Sequence, residues 1–205
     1  MENGRKRKGE GAGEAEKADS KRSRHDTTPA SSSSNVRIVS ISALPSPADL
    51  LQEYPISQES VAFVQESRRT IEDILLGKDP RLLVVIGPCS IHDPAEAIQY
   101  GKTLISETKK WPNLFMVMRV YFEKPRTRVG WKGLIYDPLL DGSDQIEKGL
   151  RTARQLLQEL TSLSIPIACE FLDVITPQYL ADMVSWGAIG ARTTECQVHR
   201  CVCSC

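Results

Sequence analysis

No run of roughly eighteen apolar residues occurs in this chain of 205, which argues against a membrane-spanning helix. Excess charge is missing as well. Lys and Arg total 26 and Asp and Glu total 26, so the bulk charge gives no nucleic-acid footprint. The start, Met1-Glu-Asn-Gly-Arg-Lys-Arg-Lys8, lacks the apolar core of a secretory signal, and the segment is too rich in Glu for a mitochondrial presequence. Cytoplasmic residence is the default expectation. Cysteine is scarce until the end: Cys89 and Cys169 fall in or just after apolar, strand-like runs, and the other four crowd into the last ten residues. Without a secretory context no disulfide framework is expected, and Cys89 and Cys169 read as small buried thiols.

Residues 1–35 hold no aromatic residue and are built from Gly, Glu, Lys, Arg and Ser. Such a segment cannot bury enough apolar surface to offset its ordering entropy, so a disordered tail is expected. Its basic clusters, Arg5–Lys8 and Lys21–Arg24, have the spacing of a bipartite nuclear-import signal. That pattern is short and promiscuous, and a solvated tail is its commoner meaning.

Residues 36–80 read as an N-terminal extension, with a short strand at Val36–Ile41, a proline-punctuated connection, and a helix from Ser57 to Gly77. From there the pattern repeats. Strands are expected at Leu82–Ile86, Leu114–Phe122, Ile165–Phe171 and Ala188–Ala191. Helices are expected at about Pro94–Lys109, Ser143–Leu163 and Thr176–Trp186, the last capped by Thr176 with Pro177 at its first position. Repeated βα units predict an α/β fold with a parallel sheet, whose right-handed crossovers bring every strand C-terminus to one edge.

Chemistry gathers at that edge. The first strand leads to Cys89. The second leads to Arg119 and to Lys124-Pro-Arg-Thr127, the third to Glu170 and Asp173, the fourth to Arg192-Thr-Thr-Glu195. Arginine forks suit bidentate contact with phosphate or carboxylate, and Lys124 is a compact charge beside them. Bland meanings stand next to these. A Lys-Pro-Arg-Thr run is commonly a solvated turn, Arg192 could pair with Glu195, and His92 is more often a packing or capping residue than a catalyst.

The strings Gly87-Pro-Cys-Ser-Ile-His92, Arg119-Val-Tyr-Phe-Glu-Lys-Pro-Arg-Thr127, Gly133-Leu-Ile-Tyr-Asp-Pro138, Glu170-Phe-Leu-Asp173 and Gly190-Ala-Arg-Thr-Thr-Glu195 change that balance. They resemble the type I 3-deoxy-7-phosphoheptulonate (DAHP) synthases over roughly Val36 to Arg200. The resemblance implies a (β/α)8 TIM barrel, of which residues 81–195 represent about the first four βα units. It implies a transferase that condenses phosphoenolpyruvate with erythrose 4-phosphate and water, giving DAHP and phosphate at the entry to the shikimate pathway of aromatic amino-acid biosynthesis. By the same resemblance Arg119, Lys124, Glu170 and Arg192 attend phosphoenolpyruvate, with Lys124 and Glu170 as the catalytic groups. Arg126 and Thr127 attend erythrose 4-phosphate. Cys89 becomes a ligand of a divalent metal (Mn, Fe, Co or Zn) that acts as a Lewis acid on the aldehyde oxygen. Family members are homo-oligomers, and several are inhibited by an aromatic amino acid, a role in which the 36–80 extension takes part.

After Glu195 the text departs from the family, into Cys196-Gln-Val-His-Arg-Cys-Val-Cys-Ser-Cys205. The family's remaining metal ligands, a histidine, a glutamate and an aspartate, have no counterpart here. The expectation is therefore a C-terminally truncated member with a divergent Cys-rich tail at 196–205, inactive alone. The alternative is a non-catalytic fragment that associates with a full-length subunit.

Overall fold

The computed structural model describes Ile38 and residues 41–202. The chain divides into two units, Met1–Ala43 and Leu44–Cys205, and among the described residues every helix and strand belongs to the second. The 1–35 tail with its basic clusters, and Cys203 and Cys205, lie outside the described residues. So does most of the strand expected at Val36–Ile41, while Ile38 and Ile41 are in no strand.

Helix α1, Pro47–Glu53, is one that the proline-punctuated reading missed. Ser46 and Asp49 make a capping box: Ser46 Oγ accepts from the Asp49 N–H at 3.2 Å, and Asp49 Oδ2 accepts from the Ser46 N–H at 3.2 Å. Pro47 sits in the first turn, where its missing N–H costs nothing. Helix α2, Gln58–Leu75, starts where expected, with Ser57 Oγ accepting from the Ser60 N–H at 3.1 Å.

Four parallel strands follow in chain order: β1 (Leu82–Ile86), β2 (Leu114–Arg119), β3 (Ile167–Phe171) and β4 (Trp186–Ile189). Between them run α3 (Pro94–Thr108), α4 (Ile146–Ser162), α5 (Pro177–Leu180) and a 3-10 turn at Ala181–Met183. Parallel strands in sequential order, each followed by a helical crossover, are the arrangement of half a barrel. Among the described residues no helix is long and apolar enough to cross a membrane.

The period of two along each strand divides its side chains between two cores. Met118, Ile167, Cys169 and Phe171 join the main core with Leu104 of α3 and with Leu150, Leu156, Leu157 and Leu160 of α4. Val117 and Ala168 face the other way, packed with Ile71 of α2 and with Leu83, Phe115 and Trp186. Helix α2 thus covers the second face, and α4 turns its apolar stripe to the first.

One expected helix comes out differently. The sequence predicts one helix over Thr176–Trp186, but α5 ends at Leu180 and Trp186 already opens β4. Arg68 of α2 captures the chain at this break, donating to Ala181 O at 2.8 Å and to Val184 O at 3.0 and 2.8 Å. Thr176 is no side-chain cap either; its hydroxyl lies 3.3 Å from Glu123 Oε2. The fourth strand accordingly begins two residues before the expected Ala188. A short helix α6, Gln197–Val202, follows in the segment expected only to be a divergent tail.

Candidate anion-binding site

Strand register sets the site. Ile86 pairs with Met118, Arg119 with Ala168, and Glu170 with Ala188, so the C-terminal ends of all four strands meet at one rim. Two glycines allow the loops to close over it. A Cβ on Gly87 would stand 2.7 Å from Arg119 O, so only glycine lets the Cys89 loop lie against the end of β2. Gly133, at φ 109°, pairs in an antiparallel bridge with Glu123, where any side chain would run into Phe122 O. The Ile91 N–H then bonds Tyr121 O at 2.8 Å, and the Lys124 N–H bonds Lys132 O at 2.9 Å.

Arg119 stacks its guanidinium on Tyr121, 4.0 Å from the ring centroid, and its buried Nε has no hydrogen-bond partner. A buried guanidinium N–H left without an acceptor is expensive in a finished structure and useful where an anion is to arrive. Lys124 donates from Nζ to Cys89 Sγ at 2.9 Å. That bond, with Lys124, Arg119 and Arg126 all nearby, holds the Cys89 thiol below its ordinary range, so it favours the thiolate. Cys89 is exposed, which corrects its reading as a buried small residue: the loop after β1 turns it out to the rim.

The remaining expected residues are placed unevenly. Arg126 donates from Nε to Trp131 O at 3.3 Å, and Thr127 is exposed in the same loop. Arg192 does not go to Glu195; its Nη1 donates to Pro125 O at 2.9 Å, tying the loop after β4 to the Lys-Pro-Arg-Thr loop. Glu170 is half-buried and acts electrostatically on Tyr121, as Arg119 does. His92 stands outside the cluster, 3.7 Å from Glu96 at the head of α3.

Three neighbours were not singled out from the sequence. Glu123 is buried, its carboxyl pushed up to about 7 by desolvation; Oε2 accepts from the Leu172 N–H at 3.1 Å, and Oε1 has no partner. Tyr136 donates its hydroxyl to Asp173 Oδ2 at 2.7 Å. Burial and that carboxylate both raise the phenol. Tyr121 supplies the aromatic bed under Arg119. The position of Glu123, directly before Lys124, was the available signal for it.

The metal implied by the resemblance does not fit these residues by themselves. Among the described residues no group of three or more His, Cys, Asp and Glu could hold a metal ion, and the Cys89 sulfur is already engaged by an ammonium. One sulfur ligand beside a fixed cation is not a divalent-metal site.

Residues 53–204 match the model of the DAHP synthetase I family. The chain is 54% identical over 167 residues to the phospho-2-dehydro-3-deoxyheptonate aldolase of Haemophilus influenzae, covering 81% of this chain and 46% of that protein. It is 56% identical over 167 residues to the Phe-sensitive enzyme of that name from Escherichia coli, covering 81% and 48%. A solved phospho-2-dehydro-3-deoxyheptonate aldolase from Francisella tularensis superposes with a TM-score of 0.77 at 54% identity, over 80% of this chain and 48% of that one. The chain therefore spans about half the length of the relatives it matches.

Proposed function

The chain belongs to the DAHP synthetase I family, and we propose that its rim is the phosphoenolpyruvate-facing half of a DAHP synthase site, on a partial (β/α)8 barrel. The observation that carries this reading is the orphaned Nε of Arg119 among Lys124, Arg126 and Cys89. Arg119, Lys124 and Arg192 would hold the phosphate and carboxylate of phosphoenolpyruvate, and Arg126 with Thr127 the phosphate of erythrose 4-phosphate. Two anionic substrates repel, and fixed cations offset that repulsion while setting their distance.

In the reaction assigned here, the enol carbon of phosphoenolpyruvate bonds to the aldehyde carbon. Water adds at the carbon that bore the phosphate, the C–O bond to that phosphate breaks, and inorganic phosphate leaves. Glu170, half-buried beside Arg119 and Tyr121, is suited to orient that water. Lys124, between Arg119 and Arg126 in the chain and bonded to Cys89 Sγ, is assigned the catalytic charge. Feedback by an aromatic amino acid is proposed on the strength of the Phe-sensitive relative.

Calorimetric titration of the 205-residue chain with phosphoenolpyruvate tests the reading. Binding is expected to be salt-sensitive and weaker than about 1 mM, on the order of −4 kcal/mol. Binding unchanged in Arg119→Ala with Arg192→Ala would place the anion elsewhere.

A second reading, association with a full-length family subunit, is favoured by the edge of β1, where Leu82, Val85 and Ile86 are exposed. Mixing the chain with such a subunit and measuring mass by light scattering distinguishes the two.

A further inference from the structure

Just past the end of β2 the chain alternates. Val120 is wholly buried in the main core, and Arg119 and Tyr121 on either side of it share the opposite face, as a period of two requires. Backbone bonds pin this stretch from both neighbouring strands. The Val120 N–H donates to Ala168 O at 2.8 Å, and Tyr121 O accepts from the Ile91 N–H at 2.8 Å. The Tyr121 ring is therefore a fixed platform, and the Arg119 guanidinium lies over it, 4.0 Å from the ring centroid. Burial raises the Tyr121 phenol above its ordinary range, Arg119 opposing and Glu170 adding to it. The platform thus offers a π-face and no charge.

A ring face holds a cation without taking any of its N–H donors. Arg81 supplies the contrast. It too lies over a ring, that of Phe115 at 5.1 Å, but its Nε and Nη2 are spent on the Asp79 carboxylate at 2.6 to 3.1 Å. Arg119 keeps its Nε: the atom is buried and has no partner.

We propose that Tyr121 is a positioning residue for phosphoenolpyruvate, its ring holding the Arg119 guanidinium flat at the rim with Nε left for the anion. This rests on the reading of the rim as a phosphoenolpyruvate site. The donors of a guanidinium lie in its plane, so fixing the plane fixes the direction from which paired oxygens can be received. No internal partner has to be given up when the anion arrives. Without the platform the fork samples orientations that turn Nε to water. The fraction of molecules ready to bind falls, and the apparent dissociation constant rises in proportion.

Ligand-observed phosphorus NMR of the full chain with phosphoenolpyruvate, beside urea unfolding of each variant, is the test. Tyr121→Phe should bind within about twofold of the unsubstituted chain, because the hydroxyl is not used. Pentafluorophenylalanine placed at position 121 by stop-codon suppression fills nearly the same space with its ring quadrupole reversed. It should weaken binding about fivefold relative to Tyr121→Phe, with little change in the urea midpoint. In an Arg119→Ala background the fluorinated ring should cost nothing further. Tyr121→Leu should weaken binding at least as much as the fluorinated ring, and if it does not fold, the two rings of matched shape decide. Equal binding by the phenyl and pentafluorophenyl chains would overturn the proposal, since a ring that merely fills space serves as well. So would a loss in Tyr121→Phe as large as that of the fluorinated ring, which would move the role to the hydroxyl. An unsubstituted chain that binds no phosphoenolpyruvate would overturn the rim reading itself, and this proposal with it.

Discussion

Arg154 and Arg119 put the same fork into two regions of one molecule and leave it in opposite states. Arg154, at the junction of α1, α4 and α5, is fully buried, and each of its nitrogens is engaged. Nε donates to Tyr54 O at 3.0 Å, Nη1 to Tyr179 O at 2.7 Å and Asp182 Oδ1 at 2.8 Å, and Nη2 to Asp182 Oδ2 at 2.9 Å. Arg119, at the rim, rests on an aromatic face with a buried Nε that meets nothing. A satisfied buried charge organises the fold around itself. One with an unpartnered Nε leaves a donor open to an acceptor. The difference separates a fully satisfied cation from one with a donor to spare, and it is the second to which we assign binding.

The largest expected effect tests the structural side. Removing Arg154 strands two carbonyls and the Asp182 carboxylate, so Arg154→Ala should lower unfolding stability in urea by about 3–5 kcal/mol. Asp182→Ala should also be costly, because it leaves the buried Arg154 guanidinium without its counter-charge. If Arg154→Ala unfolds at the same urea concentration as the unsubstituted chain, the contrast with Arg119 collapses.

Glu123 carries the comparison to a carboxyl that spans both regions, joining the Lys124 loop to Leu172 and Thr176. Burial holds it protonated up to about pH 7, whereas the unfolded chain ionises near 4.5. Between those values the folded state binds more protons, so stability falls as pH rises through that window, and the loss is complete above pH 7. The difference between the chain and Glu123→Gln should change by about 3 kcal/mol across it. Equal slopes for the two proteins from pH 4.5 to 7 would show that Glu123 is not held protonated.

Much of this was legible in the residues, and the misses have physical causes. Apolar runs bounded by turns located all four strands, and Ser57 marked the start of α2. The capping box of α1 was present in Ser46-Pro47-Ala48-Asp49 but hidden by prolines that also punctuate loops. The end of α5 was not local information, because it is drawn by Arg68, 113 residues away from Ala181. The rim cations declared themselves by type and position. The state of each did not: which arginine is satisfied, and that Glu123 is buried, follow from contacts between distant loops.

On the binding side, Arg119→Ala should leave unfolding stability nearly unchanged and weaken phosphoenolpyruvate binding by roughly tenfold, the worth of one charge-assisted hydrogen bond. Parallel calorimetry and urea unfolding give both numbers. A large loss of stability in Arg119→Ala would make it a second Arg154.

The smallest effect sharpens the structural half. Helix α1 is short, and its capping box holds it in register, with Leu50 wholly buried and Tyr54 at its end. Tyr54 O is also where Arg154 Nε is received. Ser46→Ala removes the side-chain acceptor of the Asp49 N–H and should cost about 1 kcal/mol. If α1 serves Arg154 by presenting that carbonyl, the two sites are coupled, and the cost should shrink in an Arg154→Ala background by more than the roughly 0.5 kcal/mol expected of independent positions. A double-mutant cycle in urea reads this directly. Strict additivity would mean that α1 holds its place through Leu50, the Glu53–Arg151 ion pair and the Tyr179–Pro45 hydrogen bond, and that the satisfied arginine depends on α4 and α5 but not on the helix that the prolines concealed.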